Sequence, residues 1–515
     1  MNPSETLSRD HAPVDIDPAL EPLPVPLRFE AGEGDKTRTT HASIEQVLET
    51  AGFRHDEIRA IYYGNWLRDY SQLLDPKIVR ATGMPKKFPD LLSREALTKI
   101  VDVLALREFP DLMKIDRARF IVTPERLGVY RPTEHIDNPK AIKPQPASPK
   151  ERDADFEDWV LPADPLLQVD PDTSMKRYIQ RSVDTMSVEF NKAVQGGPES
   201  TDSLRALGSA LHILEDFFAH SNFVELSLIK LGHSTVLPWT SAANCRHRLP
   251  LVTGMFGGSD VIASLAAPLG KIMFSKENKP FEATQAGARY ERDQILLILL
   301  DEHPDPRLLQ GYETFLAARD KWASLPFSEQ VERFYSFLGT PGKIIGSAVG
   351  TIMQGMTTWL GNSIDDFQTS LGDDPNTSGS TDPSHSQLAK DHAEHPLHLL
   401  AGLLAREAVL EVGHAVLGLW HGKQGVEHPA QVAAKFFTHP MDSTWQDSIV
   451  SRWAEENPRM VERAAHKSDL IDGQARLRNT ALSGLQTFKA QSTNFLDSFD
   501  AGSSLKEFWN SITGK

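Results

Sequence analysis

The stretch "ALHILEDFFAHSNFVE", residues 210 to 225, most constrains what this chain can fold into. His212, Asp216 and His220 recur every fourth residue in a run that otherwise reads Leu, Ile, Leu, Phe, Phe. Each such step drifts by about 40° around an α-helix, so the three side chains share one strip about 80° wide. Leu204, Leu207, Leu211, Leu214 and Phe218 form a second stripe roughly opposite, while Ile213 and Phe217 keep the polar strip from being a plain solvated face. A helix apolar on most sides is buried, and the fold has to close around it. An ionised Asp buried between two imidazoles is costly unless a cation compensates it, and zinc held by imidazole nitrogen and carboxylate oxygen does so. The alternative is a solvated face or a His–Asp hydrogen bond without metal.

Helical periodicity dominates the rest of the chain. Ile44, Val47, Leu48 and Ala51 keep one face before Gly52, and Ile58, Ile61, Tyr62 and Asn65 restart it. "LLSREALTKIVDVLALREF", "MKRYIQRSVDTMSVEFNKAV" and "PLHLLAGLLAREAVLEVGHAVLGLW" repeat the amphipathic pattern. The expected fold is mainly α: a multi-helix core with long loops, around 131–158 and from Ser370, and a C-terminal helical appendage. Three divisions are expected: a flexible, Pro-rich acidic arm over 1–39, a core domain over 40–420, and a more polar helical region over 421–515.

Composition excludes several classes. A net charge of −16 argues against a surface that neutralises nucleic-acid phosphates. One cysteine, Cys245, rules out an intrachain disulfide and a thiolate-rich zinc site, so any metal must use His, Asp and Glu. The first forty residues lack the basic and apolar regions of a signal peptide, so the chain is expected to be cytoplasmic or exported by a route that needs none. The uncharged run Ile344 to Ile364 is long enough to span a bilayer but is interrupted by Gly346, Gly350, Gln354, Gly355, Gly361 and Asn362; it reads as a buried helix or a surface-docking segment.

Other candidate ligands flank the central helix. His41 shares a face with Ile44 and Leu48 and heads the only His-x3-Glu pair. Asp69, in "GNWLRDYSQ", continues the inward face of Tyr62 and Asn65, with Arg68 about 100° away. "YRPTEHIDNPK" sets His135 and Asp137 on a loop pinned by Pro132 and Pro139. "PSHSQLAKDHAEHPLHLL" holds His385, Asp391 and His392, either a metal tract or a solvated His-rich loop. There is no HExxH, Gly-x-Ser-x-Gly or P-loop, and "LVTGMFGGSD" reads as a tight turn.

"GNWLRDYSQ", "LGVYRPTEHIDNPK", "ALHILEDFFAHSNFVEL", "PLVTGMFGG" and "HSQLAKDH" resemble successive blocks of the fungal heterokaryon-incompatibility protein C (Het-C) group and its bacterial relatives, from about Thr40 to Glu407. The bacterial members are similar to zinc-dependent phospholipases C and, more distantly, to the all-α phospholipase C and single-strand nuclease superfamily with its trinuclear zinc site. Its ligands run His, Asp, His, then His-x3-Asp, His, and a closing His-x3-Glu. By resemblance His41, Asp69, His135, His212, Asp216 and His220 are zinc ligands, Asp216 the bridging carboxylate and Asp69 a ligand beside the attacking water. The superfamily's N-terminal tryptophan ligand has no counterpart behind the forty-residue arm, and the closing His-x3-Glu is missing. Glu225, or His385 with Asp391 and His392, would replace it, giving two or three zinc ions.

The resemblance implies a phospholipase C that cleaves phosphatidylcholine-type lipids to diacylglycerol and a phosphorylated headgroup, using zinc-activated water rather than a Ser or Cys nucleophile. Asn65, Tyr62 and Glu215 are placed to orient the ligands. The expected partners are a phospholipid substrate and a membrane surface, with a second copy of the chain left open and nucleic acid excluded. The rivals are a non-catalytic interaction protein, as in the fungal relatives, and a single-strand nuclease, which the acidic charge and the lack of a basic-aromatic groove disfavour.

Overall fold

The computed structural model describes residues 40–139, 148–256, 287–323, 348–358, 374–391 and 393–470, with a few isolated positions besides. The expected arm over 1–39 lies outside them, as does His392. The protein is mainly helical, as its periodicity predicts. Between the helices runs one parallel pair of two-residue strands, β1 (Val79–Arg80) and β2 (Leu92–Ser93), with Val79 opposite Leu92.

The chain opens with α1 (His41–Glu45), whose cap Thr40 exchanges hydrogen bonds with Ser43, followed by α2 (Leu48–Ala51). Gly52 ends α2 at φ 113°, a conformation that suits glycine. Next come α3 (His55–Ser71), α4 (Arg94–Glu108) capped by Ser93, and the short α5 (Pro110–Ile115), α6 (Arg117–Phe120) and α7 (Pro124–Leu127). Then α8 (Tyr178–Gly196), α9 (Thr201–His220) and α10 (Phe223–Lys230) complete the first half. The second half adds α11 (Glu291–Asp301), α12 (Pro306–Ala323), α13 (His385–Leu388), α14 (His398–Trp420), α15 (Pro429–Ala434), α16 (Asp447–Glu456) and α17 (Pro458–Ala464).

α9 is the axis of the structure, enclosed by α3, α8 and α14. All its side chains from Ala206 to His220 are buried except Ser209, so its polar strip faces protein on every side. α3 approaches it through reciprocal glycines. A Cβ on Gly208 would stand 1.9 Å from the Ile61 carbonyl oxygen, and one on Gly64 would stand 2.2 Å from that of Arg205. No other residue permits so close a crossing, and the crossing sets Asn65 and Asp69 against His212 and Asp216.

Two expectations are sharpened by packing. Of the run Ile344 to Ile364, residues 348–358 are described and mostly helical, and Ala348, Val349, Ile352, Met353 and Met356 are at most 1% exposed, so this part is core rather than a docking face. No helix among the described residues is long and apolar enough to cross a membrane. Apolar side chains from α15 to α17 join the core of the preceding helices, with Phe437 against Phe217 and Trp445 against Phe218.

Candidate metal centre

The polar strip of α9 gathers side chains from three other segments into two buried triads. His41, His212 and Asp216 form one; Asp137, His220 and His385 form the other, with ligand atoms in each within 4.8 Å of one another. All six residues are at most 5% exposed.

In the first triad, His41 sits at the start of α1 and donates through Nδ1 to Glu215 Oε2 at 2.5 Å. Its Nε2 thereby faces Asp216 Oδ1 at 3.6 Å and Asp69 Oδ1 at 3.9 Å. Asn65 has its amide nitrogen on two carboxylates, Glu45 at 2.8 Å and Glu215 at 3.3 Å, so its oxygen faces His212 Nδ1 at 2.9 Å. An amide oxygen only accepts, hence Nδ1 carries the proton and the Nε2 lone pair points into the site. There it meets Asp216 Oδ2 at 2.9 Å and His135 Nδ1 at 2.9 Å. Two lone pairs at that distance repel unless a proton or a metal cation lies between them. Burial pushes the His212 imidazole down to about 3, which disfavours the proton.

The second triad hangs on one extended segment. Backbone bonds join Gly254 to His220, Asn138 to Gly254 and His385 to Met255, at 3.1, 2.9 and 2.9 Å. A Cβ on Gly254 would lie 2.5 Å from the His385 Cα, so glycine is required for the approach. The "LVTGMFGGSD" stretch, expected to be a tight turn, is over its described residues 251–256 the tie between the triad's three segments. Ile136 separates His135 from Asp137 at φ 54°, a strained left-handed conformation for a β-branched residue. His135 thus stands 3.7 Å from Asp216 Oδ2 while Asp137 Oδ1 stands 3.5 Å from His385 Nδ1. Tyr130 donates to the other Asp137 oxygen at 3.0 Å.

The electrostatics leave room for a cation. Glu45, Asp69, Asp137, Glu215 and Asp216 are at most 3% exposed, and among the described residues none pairs with a lysine or arginine. Asp69 Oδ2, Asp137 Oδ1 and both ring nitrogens of His220 are buried with no hydrogen-bond partner among the described residues. Burial pushes the Asp69 carboxyl up to about 7 against the pull of His41. Burial and the neighbouring Glu215 carboxylate hold Glu45 well above the ordinary range. Asp216 goes the other way: burial opposes its ionisation, but His212 and His220 hold it well below the usual carboxylate value. Within the triads His41 faces Asp216 at 3.6 Å, His212 faces it at 2.9 Å and Asp137 faces His385 at 3.5 Å, near the spacing of about 3.4 Å that tetrahedral ligands keep around one zinc ion. A metal therefore fits both triads.

Asp216 links them. Its Oδ1 faces His41, and its Oδ2 lies 3.8 Å from His220 Nδ1 as well as beside His212. Asp391 Oδ2 stands 3.6 Å from His220 Nε2. Glu225, expected as a closing ligand, is instead the counter-ion of Lys390 at 3.0 Å, because the buried ammonium needs one. Lys390 also donates to the Ser221 and Leu388 carbonyls. Burial drives both members of this pair toward their neutral forms. Lys390→Met is expected to cost about 3–5 kcal/mol in chemical denaturation, with most of it recovered when Glu225→Leu is added. Asn65 and Glu215 orient ligands as the sequence indicates, whereas Tyr62 packs on Phe109. Asp137, a candidate on the proline-pinned loop beside His135 but absent from the ligand set the resemblance implies, is a member of the second triad.

The profile of one protein family, Heterokaryon incompatibility protein Het-C, matches residues 33–294, which is half of the chain. The chain belongs to the Het-C family. The matched Het-C region contains the whole first triad and two members of the second, while His385 and Asp391 lie downstream of it. No curated protein and no solved structure matches the chain.

Proposed function

We propose that this Het-C protein is a zinc-dependent phosphodiester hydrolase, a phospholipase C that cleaves phosphatidylcholine-type lipids to diacylglycerol and a phosphorylated headgroup. The observation that carries the reading is Asp216, whose two oxygens reach ligands of both buried triads, the arrangement of a carboxylate bridging paired metals. His41, His212 and Asp216 would hold one ion and Asp137, His220 and His385 the other. Three protein ligands per ion leave a position open, the pattern of catalytic rather than structural zinc, and the donor set of imidazole and carboxylate suits it.

Zinc bound there supplies Lewis acidity toward phosphoryl oxygens and acidifies water. The protein supplies position and proton management. Glu215 and Asn65 fix the ring orientation and tautomer of His41 and His212, and Tyr130 fixes Asp137. Asp69, whose Oδ2 has no hydrogen-bond partner among the described residues, takes a proton as water oxygen attacks phosphorus; the phosphorus–oxygen bond to diacylglycerol breaks, the leaving oxygen takes a proton from solvent water, and Asp69 returns its proton to solvent.

Metal analysis of purified protein together with headgroup release from a lipid panel tests the reading. Metal without turnover on any lipid favours the interaction role, and cleavage of single-stranded nucleic acid instead favours the nuclease. Asp69→Asn is expected to lower the rate at least about a hundredfold, roughly 2.7 kcal/mol of transition-state stabilisation. An unchanged rate assigns Asp69 a structural role.

A further inference from the structure

The imidazoles around Asp216 are not held alike. His41 and His212 each commit Nδ1 to a protein partner, Glu215 and Asn65, and turn Nε2 to the centre. His135 is the reverse. Its Nε2 stands 3.4 Å from Ser71 Oγ, and that hydroxyl spends its one proton on the Arg68 carbonyl at 2.7 Å, so it meets the ring as an acceptor. Nε2 therefore carries the His135 proton. The lone pair is on Nδ1, the nitrogen that stands 2.9 Å from His212 Nε2 and 3.7 Å from Asp216 Oδ2. Gln72, which closes α3 and the "GNWLRDYSQ" block, donates its amide N–H to that lone pair at 2.9 Å. Turning the amide over would set its oxygen against the same lone pair, so this orientation holds. Gln72 is 2% exposed, and its Oε1 is buried with no hydrogen-bond partner among the described residues.

We infer that Gln72 is a positioning residue that competes with the first triad's metal for His135, and so keeps a coordination position open there. A ring nitrogen has one lone pair, which accepts from the Gln72 amide or binds a cation but does not do both. With the amide in place, the protein offers that ion His41, His212 and Asp216, and a fourth position is left. With the amide displaced, His135 fills it, and four protein ligands close the ion in the manner of structural zinc. Gln72 thereby favours the form that accepts a water molecule or a phosphoryl oxygen. Its effect on turnover rests on the hydrolase reading above, whereas its effect on metal affinity does not.

Gln72→Leu removes the competing N–H together with the unpartnered oxygen, so the fold is expected to tolerate it; Gln72→Met, unbranched like glutamine, is the second variant. Zinc affinity, read by competition with a chromophoric chelator, is expected to rise about tenfold in both, the reverse of what losing a supporting residue does. On phosphatidylcholine vesicles kcat is expected to fall about tenfold with KM little changed. Adding His135→Ala to Gln72→Leu should return the affinity to the wild-type value. Affinity that is unchanged or lower in both variants, or a gain that survives the loss of His135, overturns the inference. Tighter zinc with an unchanged kcat overturns the open position. Tighter zinc in a protein whose wild type hydrolyses no lipid overturns the hydrolase reading alone, and a wild type that takes up no zinc overturns both.

Discussion

Asp216→Asn is expected to empty both triads at once. The substitution keeps the shape of the side chain and removes the negative charge that His41, His135, His212 and His220 all face. The amide would present a nitrogen to at least one ring lone pair now paired with a carboxylate oxygen, and an NH2 group cannot ligate a cation. Metal content is expected to fall from two ions per chain to less than one, and hydrolysis by at least about a thousandfold, roughly 4 kcal/mol. His212→Ala, by contrast, removes a ligand of the first triad only and leaves Asp137, His220 and His385 in place. The two variants therefore separate a bridged pair from two independent sites. Equal, single-ion losses in both would dissolve the bridge.

Gly208→Ala is expected to destabilise the fold strongly. The added methyl would stand 1.9 Å from the Ile61 carbonyl oxygen, a backbone atom that no rotamer change can move. α3 and α9 must part by roughly an ångström, and both are fully packed on their other sides by Trp66, Leu67, Leu211 and Leu214. Overpacking of this kind costs about 3 kcal/mol or more, read as a lower denaturant midpoint at unchanged slope. Catalysis should suffer beyond the stability loss, because Asn65 on α3 holds the tautomer of His212 on α9 across this crossing. A variant as stable and as active as wild type would show that the helices can part without disturbing the site.

The helices and their inward faces are legible in the sequence because side-chain period is a local property: Gly52 and the strip of α9 both fall where the pattern puts them. His41, His135 and His220 stand 3.6 to 3.8 Å from Asp216, with Asp69 beside His41, although His135 and Asp69 belong to neither triad. The direction in which Asp137 faces and the role of Gly254 have no local signature. Asp137 is aimed by the left-handed backbone of Ile136, which no propensity of isoleucine predicts. Gly254 acts through an approach to His385, and close contact between distant segments leaves no local pattern. Glu225 misled because its spacing after His220 suits a ligand, while its counter-ion Lys390 lies 165 residues away.

The tie between Met255 and His385 also bears on when the protein becomes competent. During synthesis His41, Asp69, His135, Asp137 and α9 all leave the ribosome well before His385, so the first triad can close around nascent helices while the second lacks a member. The third ligand arrives only when the segment before α14 docks against Gly254, a non-local contact of the kind that forms late. Assembly of both triads is thereby coupled to synthesis past His385, and a truncated or stalled product ending before it has only the first triad complete.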